Sequence, residues 1–290
     1  MANLVKAGAR PVDVRSLRDG LRKEQKQFFD ERSGLNRVSF LVPLGRSGLS
    51  AHDAGTERFA NNLMLYGRTV SVAVEIMRHR QATLKPALVR LSKDRQVQGV
   101  MMGEPLHDQT ELDELRALIA VGKDIDGTNP NSVYNRRRPT PSAMVHVAKA
   151  RNIDLATAKV AVLGSKGAIG GSLMNLLHDE GAKPRGIDKH NIGMTHDVVR
   201  WADVVFSAVR DSKAITVPML RGLSNLSLIV DATIVSDGAG GIVGSVDPEV
   251  FEDPRVSCEV TTVPDGVGLL TNAMVIKNLQ DAVQQTEVAA

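Results

Sequence analysis

One cysteine, Cys258, stands in a chain of 290 residues. No intramolecular disulfide and no cysteine-based metal centre is possible, and no bound metal is expected. Such thiol poverty fits a reducing cytoplasm, with Cys258 as a small buried hydrophobe. Aromatic residues make up 3% of the chain. The core must therefore be aliphatic, and little is on offer for stacking nucleic-acid bases. The net charge is only +3, and the densest basic cluster is Arg136, Arg137 and Arg138. Three arginines do not make a nucleic-acid tail. No apolar run is long enough to span a membrane, and the opening stretch MANLVKAGARPVDV lacks the apolar core of a signal peptide. Neither nucleic acid nor a membrane is an expected partner.

What is present is an ordinary globular composition, 42% hydrophobic and 24% charged, with enough chain for two domains. Residues 12–33 carry Val14, Leu17, Leu21 and Phe28 at helical spacing. VSFLV (38–42), TVSVAVEIM (69–77) and VQGVMMGEP (97–105) read as strands, and Glu57–Leu65, ending at Gly67, and Leu112–Val121 as helices. This alternation is α/β organisation. The polar stretch KDIDGTNPNSVYNRRRPTPS (123–142) reads as a domain junction, followed by a helix over 142–151 capped by Thr140 or Ser142. From Lys159 onwards, strands at KVAVLG, PRGID, DVVFSAV, LSLIVDAT and VSCEVT alternate with helices, and a helix closes the chain over 270–285. The expectation is an α/β protein of two domains. Residues 1–140 form the first, with the helix 270–290 packing back on it, and residues 141–269 form a Rossmann-like domain with a mostly parallel sheet.

VAVLGSKGAIGGSLMNLL (160–177) is a strand, a glycine turn and a helix start. Its glycines, Gly164, Gly167 and Gly170, are spaced G-x-x-G-x-x-G rather than G-x-G-x-x-G. The physics is the same. A tight turn without side chains lets the backbone approach a pyrophosphate, and the helix N-terminus offers free N–H groups and partial positive charge. Gly164, Ser165, Lys166, Gly167, Ala168, Ile169 and Gly170 are the candidate cofactor loop. The next strand ends at Asp188, where a carboxylate can accept from both ribose hydroxyls of NAD and would repel the 2′-phosphate of NADP. Lys166, Arg185 and Lys189 lie close by in sequence and offer that phosphate an attraction instead. NAD is the expected cofactor, with NADP left open.

Three further stretches, VGKDIDGTNPNSV from Val121, RPTPSAM from Arg138 and TTVPDGVGLLTNAMVIKN from Thr261, extend the comparison. In this order around the glycine turn, they resemble the bifunctional methylenetetrahydrofolate dehydrogenase/cyclohydrolase family. That family carries a K-D-x-D-G segment, a C-T-P segment, a G-R-S-x-x-x-G loop and a late P-G-G-V-G-P-M-T segment. The resemblance covers about residues 97–280, and residues 1–96 match in layout more than in sequence. It implies oxidation of 5,10-methylenetetrahydrofolate to the 5,10-methenyl form with hydride passing to a nicotinamide, and a homodimer. It assigns Asp126, the first candidate catalytic group, to the pterin ring, whose amino and imino groups a carboxylate can accept from as a pair. Lys123 and Asp124 shape the same turn, Lys123 beside the substrate and Asp124 as a turn cap. Pro264, Gly266, Val267 and Gly268 are expected to border the nicotinamide and folate.

The sequence departs from the family where hydrolysis is concerned. The family's cyclohydrolase needs Y-x-x-x-K on a helix corresponding to residues 47–67. No lysine lies between Lys26 and Lys85, and the only tyrosines are Tyr66 and Tyr134. Counting back from Gly67 puts Gly55 and Phe59 at the two positions, and a one-residue shift gives Ala54 and Arg58. The family's Q-L-P-L-P glutamine falls on Gly103 of GEPLH. Activating water at the methenyl carbon needs a tunable proton carrier, which Arg58 is not. Hydride transfer needs only alignment, since the cofactor carries the chemistry. The expectation is a monofunctional dehydrogenase. Asp265 stands where the family has glycine and Leu269 where it has proline. A carboxylate at 265 is a second candidate catalytic group, able to stabilise charge at a nicotinamide or to meet a different substrate, or else it points to solvent. His52, Asp53, Glu57 and Glu104 are polar residues near the altered pocket, each read as a surface or capping residue rather than a catalyst, though together with Asp265 they keep a changed substrate open. A dehydrogenase of another small substrate, or a non-catalytic folate or dinucleotide sensor, are the competing readings. Arg136–Arg138 read as an exposed charged loop, with a glutamate tail as the alternative use of the cluster.

Overall fold

A computed structural model describes residues 8–32, 36–44, 54–106 and 108–289. In chain order the elements are β1 (Arg10–Pro11), α1 (Val14–Asp30), β2 (Arg37–Leu44), α2 (Ala54–Thr69), β3 (Ala73–Arg80), α3 (Leu84–Lys93), β4 (Gly99–Met102), α4 (Leu112–Ala117), α5 (Pro139–Ala150), β5 (Val160–Leu163), α6 (Ala168–Asp179), β6 (Arg185–Ile187), α7 (Thr195–Trp201), β7 (Val204–Ser207), α8 (Val217–Leu220), β8 (Leu228–Asp231), β9 (Val235–Ser236), β10 (Ile242–Val243), β11 (Glu259–Val260) and α9 (Val267–Ala289).

The chain divides into two compact units. One comprises residues 19–139 and 272–290, and the other residues 1–18 and 140–271. The first contains a parallel sheet ordered β3-β2-β4. Phe28, Phe29, Val38, Phe40 and Leu63 pack with Ile276, Leu279 and Val283 of α9 in one cluster. Leu41, Val100 and Met102 pack with Leu84, Leu88 and Leu91 of α3 in another. Those α3 leucines recur at helical spacing, and Pro86 sits in the first turn, where a missing N–H costs nothing. No helix was expected there from the sequence pattern set out above.

The second unit contains a six-stranded sheet ordered β1-β11-β8-β7-β5-β6, with every pairing parallel. From β5 the chain passes first to β6 on one side and then to β7 on the other. The carboxyl ends of β5 and β7 thus flank a switch point, where open α/β sheets bind ligands. Edge strand β1 joins this sheet through Arg10 and Pro11. The opening residues therefore cluster with the glycine-turn unit, whereas the sequence pattern grouped them with residues 19–140. A proline is tolerated there because an edge strand needs only one partner.

Two boundaries differ from expectation. Helix α2 runs past Gly67 to Thr69, and α5 begins at Pro139, so Thr140 and Ser142 lie inside its first turn rather than capping it. Proline at the first helical position supplies its own start signal. The stretch 123–142 is also no loose junction. Asp124, Thr128, Asn129, Ser132 and Tyr134 are buried, and the unit boundary falls only at its end.

Candidate functional site

In the first unit, candidate groups gather at the carboxyl end of the three-stranded sheet. Asp124 makes a parallel bridge with Val100 of β4, which lays the turn 123–127 alongside that strand. Gly127 has φ +69, and a β-carbon there would run into the carbonyl of Tyr134. The D-x-D-G turn therefore requires its glycine. The two aspartates have different fates. Asp124 is buried and accepts from the N–H groups of Thr128 (3.2 Å) and Asn129 (2.7 Å), so it caps the turn. Asp126 is 22% exposed, and among the described residues its charged contact within 4 Å is Arg138 Nη2, at 3.8 Å. Desolvation pushes its carboxyl up to about 6, aided by the negative charges of Asp124 and Glu104 and opposed by Arg138 and Arg116.

Lys123 differs from expectation. Its Nζ donates to the carbonyls of Leu91 (3.3 Å) and Asp94 (2.5 Å) at the end of α3. Its ammonium complements the negative end of that helix and ties the turn to α3. Arg137 pairs with Asp281 and Arg138 faces Asp126.

Two of the polar groups named from the sequence are also committed. Glu104 accepts from Arg116 Nε (2.7 Å) in a two-pronged pair, and Glu57 accepts from Arg78 Nε (2.6 Å) and Nη2 (2.9 Å). His52 and Asp53 lie outside the described residues. A β-carbon at Gly103 would collide with Thr56 Cγ2 and sit 3.4 Å from Phe40 Cε1. Phe59 packs edge-on against Phe40, with centroids 5.9 Å apart. Neither tyrosine is free to act. Tyr66 donates to Gln25 Oε1 (2.8 Å) inside the core, and Tyr134 is fully buried.

In the second unit, the glycine turn sits at the switch point. Gly164 has φ +84, and a β-carbon there would lie 2.5 Å from the carbonyl oxygen of Ala208, just beyond β7. A β-carbon at Gly170 would run into the carbonyl of Gly164. These two glycines are fixed by chain packing. Gly167 has extended backbone and precedes Ala168, the first residue of α6, with no side-chain cap. The N–H groups of Ala168, Ile169 and Gly170 fall in that first turn, where helix geometry leaves them without intrahelical acceptors. Ser165 is nearly buried and donates to Ile187 O (3.2 Å), packing against Gly186. Its hydroxyl braces the turn.

Asp188, 12% exposed, meets Lys166 Nζ at 3.1 Å and accepts from the His190 N–H at 2.7 Å. Those bonds hold its carboxyl below the usual range. Arg185 stacks on Trp201, 3.9 Å from the ring centroid. The late loop differs from expectation at one point. Asp265 adopts φ +72, a conformation natural to glycine, and its carboxylate pairs with Arg15 Nη2 at 2.7 Å. That exposed ion pair, rather than a free acid, occupies position 265. Gly266 is packed under the Thr262 carbonyl, Val267 is buried, and no atom crowds Gly268. Pro264 follows Val263 through a cis peptide bond. Among the described residues no group of three or more His, Cys, Asp or Glu could hold a metal, and no helix is long and apolar enough to cross a membrane.

The family model for the tetrahydrofolate dehydrogenase/cyclohydrolase NAD(P)-binding domain matches residues 138–287. The chain is 30% identical over 210 residues to the bifunctional protein FolD 2 of Mesorhizobium japonicum, covering 70% of this chain and 68% of that protein. It is 26% identical over 260 residues to the bifunctional protein FolD of Clostridioides difficile, covering 87% and 88%. Among solved structures it is similar in fold to the Trypanosoma brucei methylenetetrahydrofolate dehydrogenase–cyclohydrolase complexed with NADP and an inhibitor. There the TM-score is 0.82, with 21% identity over 98% of this chain and 99% of the other. The NAD-dependent 5,10-methylenetetrahydrofolate dehydrogenase of Saccharomyces cerevisiae is also similar, with TM-score 0.74 and 15% identity over 97% and 99%.

Proposed function

The chain belongs to the tetrahydrofolate dehydrogenase/cyclohydrolase family, and from that premise we propose that it oxidises 5,10-methylenetetrahydrofolate to the methenyl form with NAD and does not hydrolyse the product. The observation that carries the second half is the filled space at position 103. Thr56, Phe40 and Phe59 occupy the region where the family's glutamine and lysine would sit. Glu57 and Glu104, which adjoin Thr56 and Gly103 in the sequence, are locked to arginines and do not replace that glutamine and lysine.

Asp126 anchors the pterin in this reading. It is the partly exposed carboxylate whose acceptor sites are not spent on the turn, unlike those of Asp124. The first-turn N–H groups of α6 and Asp188 would hold NAD, which would supply the hydride acceptor. Gly164 and Gly170 keep the turn low enough for that approach. Asp188 accepts from the ribose hydroxyls, while Lys166 keeps its carboxylate ionised and oriented. Arg185 is held on Trp201, which favours NAD over NADP. Gly268 leaves room for a flat ring, and Asp265 with Arg15 fixes the loop before α9. A homodimer and a cytoplasmic location belong to the same reading.

The test is kcat/KM for 5,10-methylenetetrahydrofolate with NAD and with NADP. Turnover favouring NAD supports the reading. Absence of turnover with both cofactors, with dinucleotide binding intact, favours another substrate or a sensor.

A further inference from the structure

Asp126 sits among charges of its own sign. Asp124 shares its turn, and the negative charge of Glu104, just past β4, also acts on it. Arg116 of α4 is nearby but is spent on Glu104 through two hydrogen bonds. That leaves Arg138, whose guanidinium is 23% exposed and lies 3.8 Å from Asp126 Oδ2. This distance is too long for a hydrogen bond and short enough for a strong charge interaction in a partly dry setting. It leaves both carboxylate oxygens open to other donors.

The separation is built into the backbone. Buried Asn278 of α9 donates through Nδ2 to Ile125 O (2.9 Å) and to Arg137 O (3.3 Å). One amide therefore clamps the residue before Asp126 to the residue before Arg138. Arg138 precedes Pro139, which restricts its backbone, and it has φ −55 and ψ 143. Neither partner can easily drift towards the other.

We propose that Arg138, held in place by Asn278, is the positioning residue for Asp126, keeping that carboxylate charged and open as a paired acceptor for a ring bearing adjacent N–H donors. The inference rests on Asp126 being the pterin anchor. Arg138 does not touch the reacting carbon and acts through Asp126 alone. A lysine at 138 keeps the charge and performs much of the task, whereas a methionine keeps only the stem.

The experiment uses the full chain as wild type, Arg138→Met and Arg138→Lys. The Asp126 carboxyl carbon is titrated by NMR in the absence of substrate, with Asp126→Asn giving the assignment. Thermal unfolding confirms that each variant is folded. The expected result is an upward shift of about one pH unit or more in Arg138→Met, largely reversed in Arg138→Lys. The acid limb of kcat/KM for 5,10-methylenetetrahydrofolate should move by the same interval. An unmoved carboxyl titration in Arg138→Met overturns the proposal. A moved titration with an unmoved kcat/KM limb overturns instead the assignment of Asp126 as anchor, so the two failures are distinguishable.

Discussion

Thr56 fills the space that any side chain at position 103 would need: a β-carbon there would run into Thr56 Cγ2. The two residues are a matched pair on α2 and at the end of β4, and together they close the region where a glutamine would lie. Gly103→Gln should therefore lower stability by about 1–3 kcal/mol through overpacking. Thr56→Ala in the same chain should recover most of that loss. Denaturant unfolding of the two single variants and the double variant reads the coupling directly.

Asp126 should show a trade between stability and function. Its native carboxyl keeps a proton up to about 6, while an unfolded aspartate releases it near about 3.9. Between those values the native state binds more protons, so stability falls as pH rises through the window and stays lower above it. Asp126→Asn removes that penalty. At neutral pH it should unfold later than wild type, by on the order of 1–3 kcal/mol, and lose most of its folate turnover. Unfolding curves at acid and neutral pH, compared with kcat/KM, check both halves.

Gly170 tests the turn. The collision of a β-carbon with the Gly164 carbonyl means that Gly170→Ala must push α6 away from β5. The expected outcome is a stability loss of about 1–3 kcal/mol together with weaker dinucleotide binding, measured by unfolding and by calorimetric titration with NAD. Unchanged NAD affinity would separate the turn from the cofactor.

Asp188 tests cofactor choice. Asp188→Ser removes the carboxylate and frees Lys166, now 3.1 Å from it, to meet a 2′-phosphate. The ratio of kcat/KM for NADP over NAD should rise by about tenfold, equivalent to about 1.4 kcal/mol. Adding Lys166→Ala should cancel the gain.

Much of this was legible in the sequence, for identifiable reasons. Glycine spacing after an apolar run marked the β5 turn, because Gly164 and Gly170 answer to local steric demands. Asp126 was legible through its D-x-D-G turn. Sequence gave no warning of the pairs that meet only in space. Arg138 reads as one of three surface arginines until Asn278 brings its backbone to that of Asp126. Lys123 reads as a ligand until the α3 carbonyls claim it, and α3 itself carried the helical pattern Leu84, Leu88, Leu91. The two-residue strand β1 is too short for periodicity to reveal. The stretch 123–142 looked solvent-loving because its burial depends on polar side chains satisfying backbone groups, as Asn129 does by donating to Ile119 O.

The most direct measurement follows nicotinamide and folate products together in one reaction of the full chain with 5,10-methylenetetrahydrofolate and NAD. The account predicts that NADH and the methenyl product appear in equal amounts, and that the methenyl product then decays no faster than it does without protein. Protein-dependent conversion of that product to 10-formyltetrahydrofolate would contradict it.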